Sequence, residues 1–259
     1  MVESIVVCGD SFATGVGISP ERCYEDFFGG LVAKEFNLPL RVFARSGCCN
    51  FTIYLQVKKV IEQYQHSEIK PLVLISVTYH ERYLIPIVDN LKREDLDLKN
   101  IQYMDYEPYS EISKPRRKLE FELADKPKFI SQTLTNIDLY LNGKPSGAVT
   151  KSFDVVLRSK YNSLMNFITD VDNEKIKYEH DNAMITKAHL LLLNNNIPHI
   201  IMSTHNDLYR HLKQENVAIV DWGNLCQRFP DNLGTGHCDE NGHKEVFDIL
   251  KPKVEELLK

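Results

Sequence analysis

The chain has 259 residues, of which 43% are hydrophobic, and its 31 basic and 36 acidic residues leave a formal net charge of −5. This length and composition favour a single α/β domain with one substantial core over residues 1–259. The weakly acidic balance argues against a broad surface for nucleic acid or an anionic membrane. No apolar run approaches the ~20 residues of a membrane span, and the N-terminus lacks the basic region of a signal peptide. We therefore expect a cytoplasmic protein without nucleic-acid or membrane partners.

The N-terminal part of the chain alternates short β-branched runs with stretches whose apolar residues recur at helical spacing. The pattern predicts, in chain order, a strand over residues 4–8, a helix over 21–36, a strand over 40–44, a helix over 51–64 and a strand over 72–77. The third of these strands has almost no polar residues, as expected of a parallel strand that is covered on both faces.

This alternation stops after the third strand. From residue 89 to residue 152 the chain is charged and carries prolines at positions 108, 115, 127 and 145, so we interpret 89–152 as an insertion or subdomain. Regular elements then return: helices over 153–168 and 178–193, strands over 197–202 and 217–221, and a helix over 241–258 with a potential break at Pro252.

Strands that alternate with helices predict a mostly parallel sheet with helices on both faces. The fold that we expect is α/β: a flavodoxin-like three-layer α/β/α sandwich with about five parallel strands. In such sheets ligands bind outside the carboxyl ends of the strands. Ser11, Gly47, Thr78 and Thr204 all follow predicted strand ends, so they are candidates for one shared rim.

The nine residues from Gly9 to Gly17, GDSFATGVG, follow the first predicted strand. A serine hydroxyl is a weak nucleophile until a base removes its proton and nearby donors stabilise the developing charge. A glycine-flanked turn after a strand lets the backbone amide of Ser11 point at a substrate oxygen. A phosphate-binding loop is the alternative, but GxGxxG and the lysine of a P-loop are absent, and Asp10 would repel a phosphate. The run therefore favours Ser11 as a nucleophile.

The pattern G-D-S-x-x-x-G-x-G directly after an N-terminal strand resembles the first motif of the SGNH/GDSL hydrolases. The resemblance implies the strand order 2-1-3-4-5, a serine nucleophile, a C-terminal histidine base, and oxyanion donors from a glycine and an asparagine. It is strong over residues 3–17, fair over 39–53, altered near 78 and 237, and absent from 89–152. A compact start with an irregular middle is also similar to SGNH-like proteins of bacteriophage genomes, for which the host cytoplasm is the expected location.

Three residues fall at the oxyanion positions that the resemblance implies. Gly47 follows the second strand, where its backbone N–H is the implied donor. Asn50 stands three residues later, and it either donates to the oxyanion, holds the loop, or caps the helix that begins at Phe51. His80 replaces the family's asparagine; its imidazole N–H can donate to an oxyanion, and the alternative is an ordinary loop histidine.

The histidine base that the resemblance implies is His237, followed by Gly242-His243 at the start of the last helix. The family places an aspartate three residues before this histidine, where the chain has Gly234. Asp231 is the candidate to orient the imidazole if the loop between them curls back. Asp239 and a backbone carbonyl are the alternatives.

Two other chemistries compete with this interpretation. His237, Cys238, Asp239 and His243 lie within seven residues, but adjacent ligands rarely share a tetrahedral metal and no second cluster completes a set of four. We therefore expect no metal and no organic cofactor. Cys48 or Cys49 is an alternative nucleophile, although buried cysteines commonly act as small apolar residues.

The leading hypothesis is a serine esterase or deacetylase that cleaves an ester or O-acetyl group through an acyl-serine intermediate, on a small-molecule or carbohydrate ester. The alternative is a degenerate SGNH fold that serves as a binding or scaffolding protein. Gly234, His80 and the insertion over 89–152 motivate this alternative. The sequence leaves open the substrate and whether the protein forms a homo-oligomer.

Overall fold

The computed structural model of the protein describes residues 2–19, 22–80, 82–86, 88–103, 128–133, 163, 166, 174–204, 212 and 214–259. The chain divides into two compact units. The first comprises Met1–Ser46, Ile53–Val77 and Ile185–Lys259, and the second comprises Gly47–Thr52 and Thr78–Met184. Each unit has a sheet of its own.

The strands and helices of the described residues follow one another along the chain. The strands are β1 (Val2–Cys8), β2 (Leu40–Val42), β3 (Lys70–Ser76), β4 (Arg82–Pro86), β5 (Ile101–Tyr103), β6 (Phe129–Thr133), β7 (His199–Ser203) and β8 (Val217–Ile219). The helices are α1 (Cys23–Asp26), α2 (Phe28–Glu35), α3 (Asn50–Tyr64), α4 (Glu174–Asn194), α5 (Trp222–Arg228) and α6 (Glu240–Leu257). None of the helices in the described ranges combines the length with the hydropathy that a membrane crossing requires.

The sheet of the first unit has five strands in the order β2-β1-β3-β7-β8, and every neighbouring pair is parallel. β1 lies between β2 and β3, with Val7 opposite Val42 on one side and Leu74 on the other. The predicted flavodoxin-like α/β fold and its strand order are therefore confirmed. Because the strands are parallel, their carboxyl ends lie at one edge of this sheet.

Apolar side chains line both faces of this sheet. Ile5, Val7 and Leu74 are fully buried and belong to one core cluster with residues of α2, α5 and α6. Val6 and Val73 are equally buried, and they point to the opposite face because side chains alternate along a strand. A strand that is buried on both faces accounts for the near-continuous apolar sequence of β1 and β3.

The predicted helix over 21–36 is in fact two helices, α1 and α2, so the prediction of one continuous helix is wrong. Phe27 between them has extended backbone angles (φ −77°, ψ 159°) and a fully buried side chain. Its ring lies 5.3 Å from the ring of Phe28 inside the core. A Cβ on Gly30 would overlap the carbonyl oxygen of Tyr24, so glycine is needed where α2 passes α1.

The structure differs from the predicted elements at two other places, both in the C-terminal part of the chain. α6 runs through Pro252 without a break. α5 is not predicted from the sequence; it follows β8 and is capped by Asp221, whose side chain accepts a hydrogen bond from the Asn224 N–H. The predicted helix over 153–168 lies outside the described residues, apart from positions 163 and 166.

The second unit contains a three-stranded sheet in the order β4-β6-β5. β4 and β6 are antiparallel, whereas β5 and β6 are parallel. Ile85, Ile101 and Phe129 are buried. These three strands are not predicted from the sequence. Most of the predicted insertion over 89–152 lies outside the described residues, and its boundaries stay a prediction.

Candidate active site

β1 ends in a tight turn that presents Ser11. Gly9 has a φ of 150°, and a Cβ at this position would lie 2.7 Å from the carbonyl oxygen of Ser76, so the chain passes too close to β3 for a side chain. Ser11 leads into one turn of 3₁₀ helix over Phe12–Thr14, in which the Thr14 hydroxyl donates to the Ser11 carbonyl at 2.8 Å. Ser11 is only 5% exposed. Its position is therefore fixed by the backbone on both sides.

Gln56 on α3 holds this turn through the backbone of Gly9. Its Oε1 accepts from the Gly9 N–H at 2.7 Å, and its Nε2 donates to the Gly9 carbonyl at 3.1 Å. Gln56 is fully buried, so the two bonds satisfy backbone groups that are shielded from solvent. Gln56 is not predicted from the sequence, because it lies 47 positions from Gly9 and inside a helix with no motif of its own.

Ser11 and His237 are in direct contact. His237 Nε2 lies 2.7 Å from Ser11 Oγ. The ring of Phe12 lies 4.7 Å from the imidazole and is stacked on Trp222 at 4.4 Å. Trp222 is 1% exposed, so the imidazole is supported by side chains that belong to the core. This is the geometry that proton transfer from a serine to a histidine requires.

Asp231 organises the loop that carries His237. Its carboxylate accepts from the backbone N–H groups of Leu233 (2.7 Å), Thr235 (3.1 Å) and His237 (2.9 Å), and from the Thr235 hydroxyl (2.8 Å). Burial acts to raise the pKa of Asp231, but the hydrogen bonds from Thr235, His237 and Leu233 outweigh it and hold the pKa below its ordinary value. Asp231 is therefore ionised at neutral pH.

The second ring nitrogen of His237 faces Thr235. Nδ1 lies 3.1 Å from the Thr235 carbonyl oxygen and 3.1 Å from the Thr235 hydroxyl oxygen. Asp231 is the residue predicted from the sequence to orient His237, and the structure places Thr235 between the Asp231 carboxylate and the imidazole. Asp239, the other carboxylate considered, caps α6 by accepting from the N–H groups of Asn241 and Gly242.

Gly47 lies in the second unit, where Ser131 of β6 holds its loop. The Ser131 hydroxyl donates to the Gly47 carbonyl at 2.9 Å and accepts from the Cys49 N–H at 2.9 Å. Arg82 of β4 donates to the Cys48 carbonyl at 3.2 Å. Gly47 has a φ of 80°, which favours glycine. The small sheet thus shapes the segment in which the predicted oxyanion donor lies.

Both the nitrogen and the oxygen of the Asn50 side-chain amide form hydrogen bonds within the second unit. Its Nδ2 donates to the Thr78 carbonyl at 2.9 Å and to Asp181 at 3.1 Å, and its Oδ1 accepts from the Thr78 N–H at 3.0 Å. Asp181 also binds the ammonium group of Lys177 at 2.6 Å. Because an amide has two hydrogens to donate, Asn50 has none left for an oxyanion here. Its oxygen binds Thr78, so of the alternatives considered, the structure favours the role of holding the loop.

His80 is half-buried in the second unit, with its ring edge-on to Tyr178 at 6.1 Å. The predicted site residues therefore fall into two groups. Ser11, Asp231 and His237 belong to the first unit and are connected by hydrogen bonds, and the three predicted oxyanion residues belong to the second unit.

The side chains of the metal and cysteine alternatives have the following surroundings in the described residues. Within them, no three His, Cys, Asp or Glu side chains are grouped so as to hold a metal ion. A hydrogen bond with Cys226 and burial raise the pKa of Cys238, which makes it a thiol at neutral pH. Cys48 and Cys49 are buried in the second unit, and Cys49 Sγ lies 3.3 Å from the Thr52 hydroxyl.

Comparison with known proteins finds solved structures that are similar to this chain at low sequence identity. No protein-family model and no curated sequence matches the chain. A protein described as lipolytic and of the G-D-S-L family, from Desulfitobacterium hafniense DCB-2, is similar over 96% of this chain and 98% of its own, at 10% identity and a TM-score of 0.43. A carbohydrate esterase whose active site displays divergent catalytic and non-catalytic binding functions is similar over 98% of this chain and 65% of its own, at 14% identity and a TM-score of 0.45. The chain thus spans less than two thirds of that esterase.

Proposed function

We propose that the protein is a serine hydrolase that cleaves an ester or O-acetyl bond through an acyl-serine intermediate. The observation that carries this proposal is the 2.7 Å separation between Ser11 Oγ and His237 Nε2. At that distance the imidazole accepts the hydroxyl proton without a prior rearrangement. The resemblance of residues 9–17 to the first SGNH/GDSL motif supports the same roles from the sequence alone.

In the proposed reaction, His237 Nε2 takes the Ser11 proton while Oγ attacks the carbonyl carbon of the ester. The carbonyl oxygen becomes an oxyanion, to which the Ser11 backbone N–H donates. The tetrahedral intermediate collapses, the ester C–O bond breaks, and protonated His237 gives its proton to the leaving alcohol. A water molecule then loses a proton to His237 and attacks the acyl carbon. The bond between the acyl carbon and Ser11 Oγ breaks, protonated His237 returns its proton to Oγ, and the acid is released.

The oxyanion roles of Gly47 and His80 in this proposal rest on the motif resemblance alone. Asn50 is not included among the donors, because its amide hydrogens are already donated to Thr78 and Asp181. The ester reaction needs neither a metal nor an organic cofactor, since the nucleophile, the base and the donor are all supplied by the chain.

The test is labelling by a fluorophosphonate probe together with hydrolysis of p-nitrophenyl acetate. The wild-type protein should be labelled, Ser11→Ala should lose both signals, and His237→Ala should slow both by at least about 1000-fold. Ser19→Ala changes an exposed serine near the same loop and should behave as wild type. A wild-type protein that is neither labelled nor active on the ester overturns the proposal in favour of the binding or scaffolding alternative.

A further inference from the structure

We propose that Thr235 is a positioning residue of the active site, and that its hydroxyl transmits the negative charge of Asp231 to Nδ1 of His237. This inference rests on the proposed function, in which His237 is the base. It assigns to Thr235 and Asp231 together the task that a single aspartate performs in a Ser-His-Asp triad.

The direction of each hydrogen bond follows from counting hydrogens. The Thr235 oxygen lies 2.8 Å from Asp231 Oδ2 and 3.1 Å from His237 Nδ1. An ionised carboxylate can only accept, so the single hydroxyl hydrogen of Thr235 is donated to Asp231. The Thr235 oxygen then accepts from the Nδ1–H of His237. The chain of donors runs from His237 through Thr235 to Asp231.

This direction selects the tautomer of the neutral imidazole. The Thr235 carbonyl oxygen also lies 3.1 Å from Nδ1 and can only accept. With two acceptors facing Nδ1, the ring hydrogen resides there, and the lone pair of Nε2 points at Ser11 Oγ, 2.7 Å away. His237 is thus held in the tautomer that accepts the Ser11 proton.

The same contacts stabilise the charged imidazole. When His237 has taken the proton, its positive charge is drawn toward an oxygen whose own hydrogen is pulled toward a carboxylate. Asp231 is itself held by the N–H groups of Leu233 and His237, at 2.7 Å and 2.9 Å, so it does not need to move. Preorganised charge of this kind raises the basicity of the imidazole.

Position 234 has a backbone conformation that disfavours an aspartate. Gly234 has a φ of 70°, and a Cβ built on it would meet no atom within 4 Å. An aspartate there would be strained in its backbone, and no packed neighbour would hold its Cβ. The absence of the family's aspartate at this position therefore agrees with a loop in which Thr235 provides the contact to the ring.

The experiment is an NMR titration of the His237 imidazole in the wild type, Thr235→Val, Thr235→Ser and Asp231→Asn, beside the pH profile of kcat/KM. Thr235→Val removes the hydroxyl at nearly constant volume, so the His237 pKa and the acidic limb of the profile should move down by about 0.5 to 1 pH unit. Thr235→Ser should restore the wild-type values. Asp231→Asn should move them in the same direction as Thr235→Val.

The matched control is Asp239→Asn, which keeps a capping side chain at α6 and should leave the titration of His237 unchanged. A folded Thr235→Val protein with an unaltered His237 pKa would overturn the inference. So would a wild-type ¹⁵N spectrum with the hydrogen on Nε2, a measurement that depends on no variant. The titration of His237 needs no turnover. If the protein is not labelled by the fluorophosphonate but the His237 pKa still depends on the Thr235 hydroxyl, the proposed function fails and this inference stands.

Discussion

Ser11 Oγ lies 2.7 Å from His237 Nε2, although 226 positions separate the two residues in the chain. Two loops make this approach, one after β1 and one before α6. Gly17 of the first loop lies against the second: a Cβ on Gly17 would overlap the Cys238 carbonyl oxygen and lie 3.1 Å from the His237 Cβ. The absence of a side chain at Gly17 therefore permits the loops to come together at the distance that the serine and the histidine need.

Gly17→Ala should push the histidine loop away from Ser11. Its φ of 101° adds strain to the steric overlap. Since a displacement of about 1 Å costs roughly 100-fold in rate, the labelling of Ser11 by a fluorophosphonate should slow by about that factor. Gly234→Ala is the control, because its φ is 70° but no atom lies within 4 Å of the new Cβ. Equal labelling rates in the two variants would show that contact at Gly17 does not set the geometry.

Gln56→Ala should lower the free energy of unfolding by about 1 to 3 kcal/mol, because the Gly9 N–H would lose its buried partner, whereas the Gly9 carbonyl would retain the bond from the Arg45 N–H. Gln56→Glu should cost at least as much, since a carboxylate accepts from the N–H but repels the carbonyl. Urea unfolding measures both changes. Gln63→Ala, on an exposed position of the same helix, should change the free energy by less than about 0.5 kcal/mol. If Gln56→Ala matched this control, the two bonds would not hold the turn.

The parts of the site that the sequence predicts are those encoded by local patterns. Ser11 follows a buried strand inside a glycine-rich run, and His237 precedes the last helix, so the neighbouring sequence identifies both residues as candidates. Gln56 and Thr235 act through contacts that form only after folding. Neither glutamine nor threonine is a residue type that by itself indicates a structural role in an active site. The small sheet is also missed, because β4 and β6 pair across a long charged segment and are too short to show strand alternation.

Ser131→Ala should loosen the segment from Gly47 to Cys49. The fully buried Ser131 hydroxyl both donates to Gly47 and accepts from Cys49, and its removal leaves a buried N–H and a carbonyl without these bonds. We expect a loss of about 1 to 3 kcal/mol in stability and faster hydrogen exchange at the Cys49 amide. Ser67→Ala is the control, because the Ser67 hydroxyl accepts a single exposed bond of 3.3 Å from Ile69. Unchanged protection of Cys49 in Ser131→Ala would contradict the prediction.

The last prediction concerns a buried pair of histidines in the first unit. His199 donates from Nδ1 to the Ile197 carbonyl at 2.9 Å, so its Nε2 accepts from Nδ1 of His189 at 2.7 Å. Burial lowers the pKa of His199 to about 4; the Ile197 carbonyl opposes this shift and His189 reinforces it. A proton added to Nε2 would also face the N–H of His189, so burial and this contact together keep His199 neutral in the folded protein.

Because the folded pKa lies below the unfolded value of 6.5, the unfolded chain binds the proton first as the pH falls. The stability that neutral His199 contributes is fully present above pH 6.5 and is lost as the pH approaches about 4, a loss on the order of 3 kcal/mol. His199→Gln should flatten the decline of the unfolding free energy between pH 6.5 and 5, measured by urea titration. His66→Gln, at an exposed position, should retain the wild-type slope. A slope in His199→Gln as steep as in His66→Gln would show that His199 does not supply this acid sensitivity.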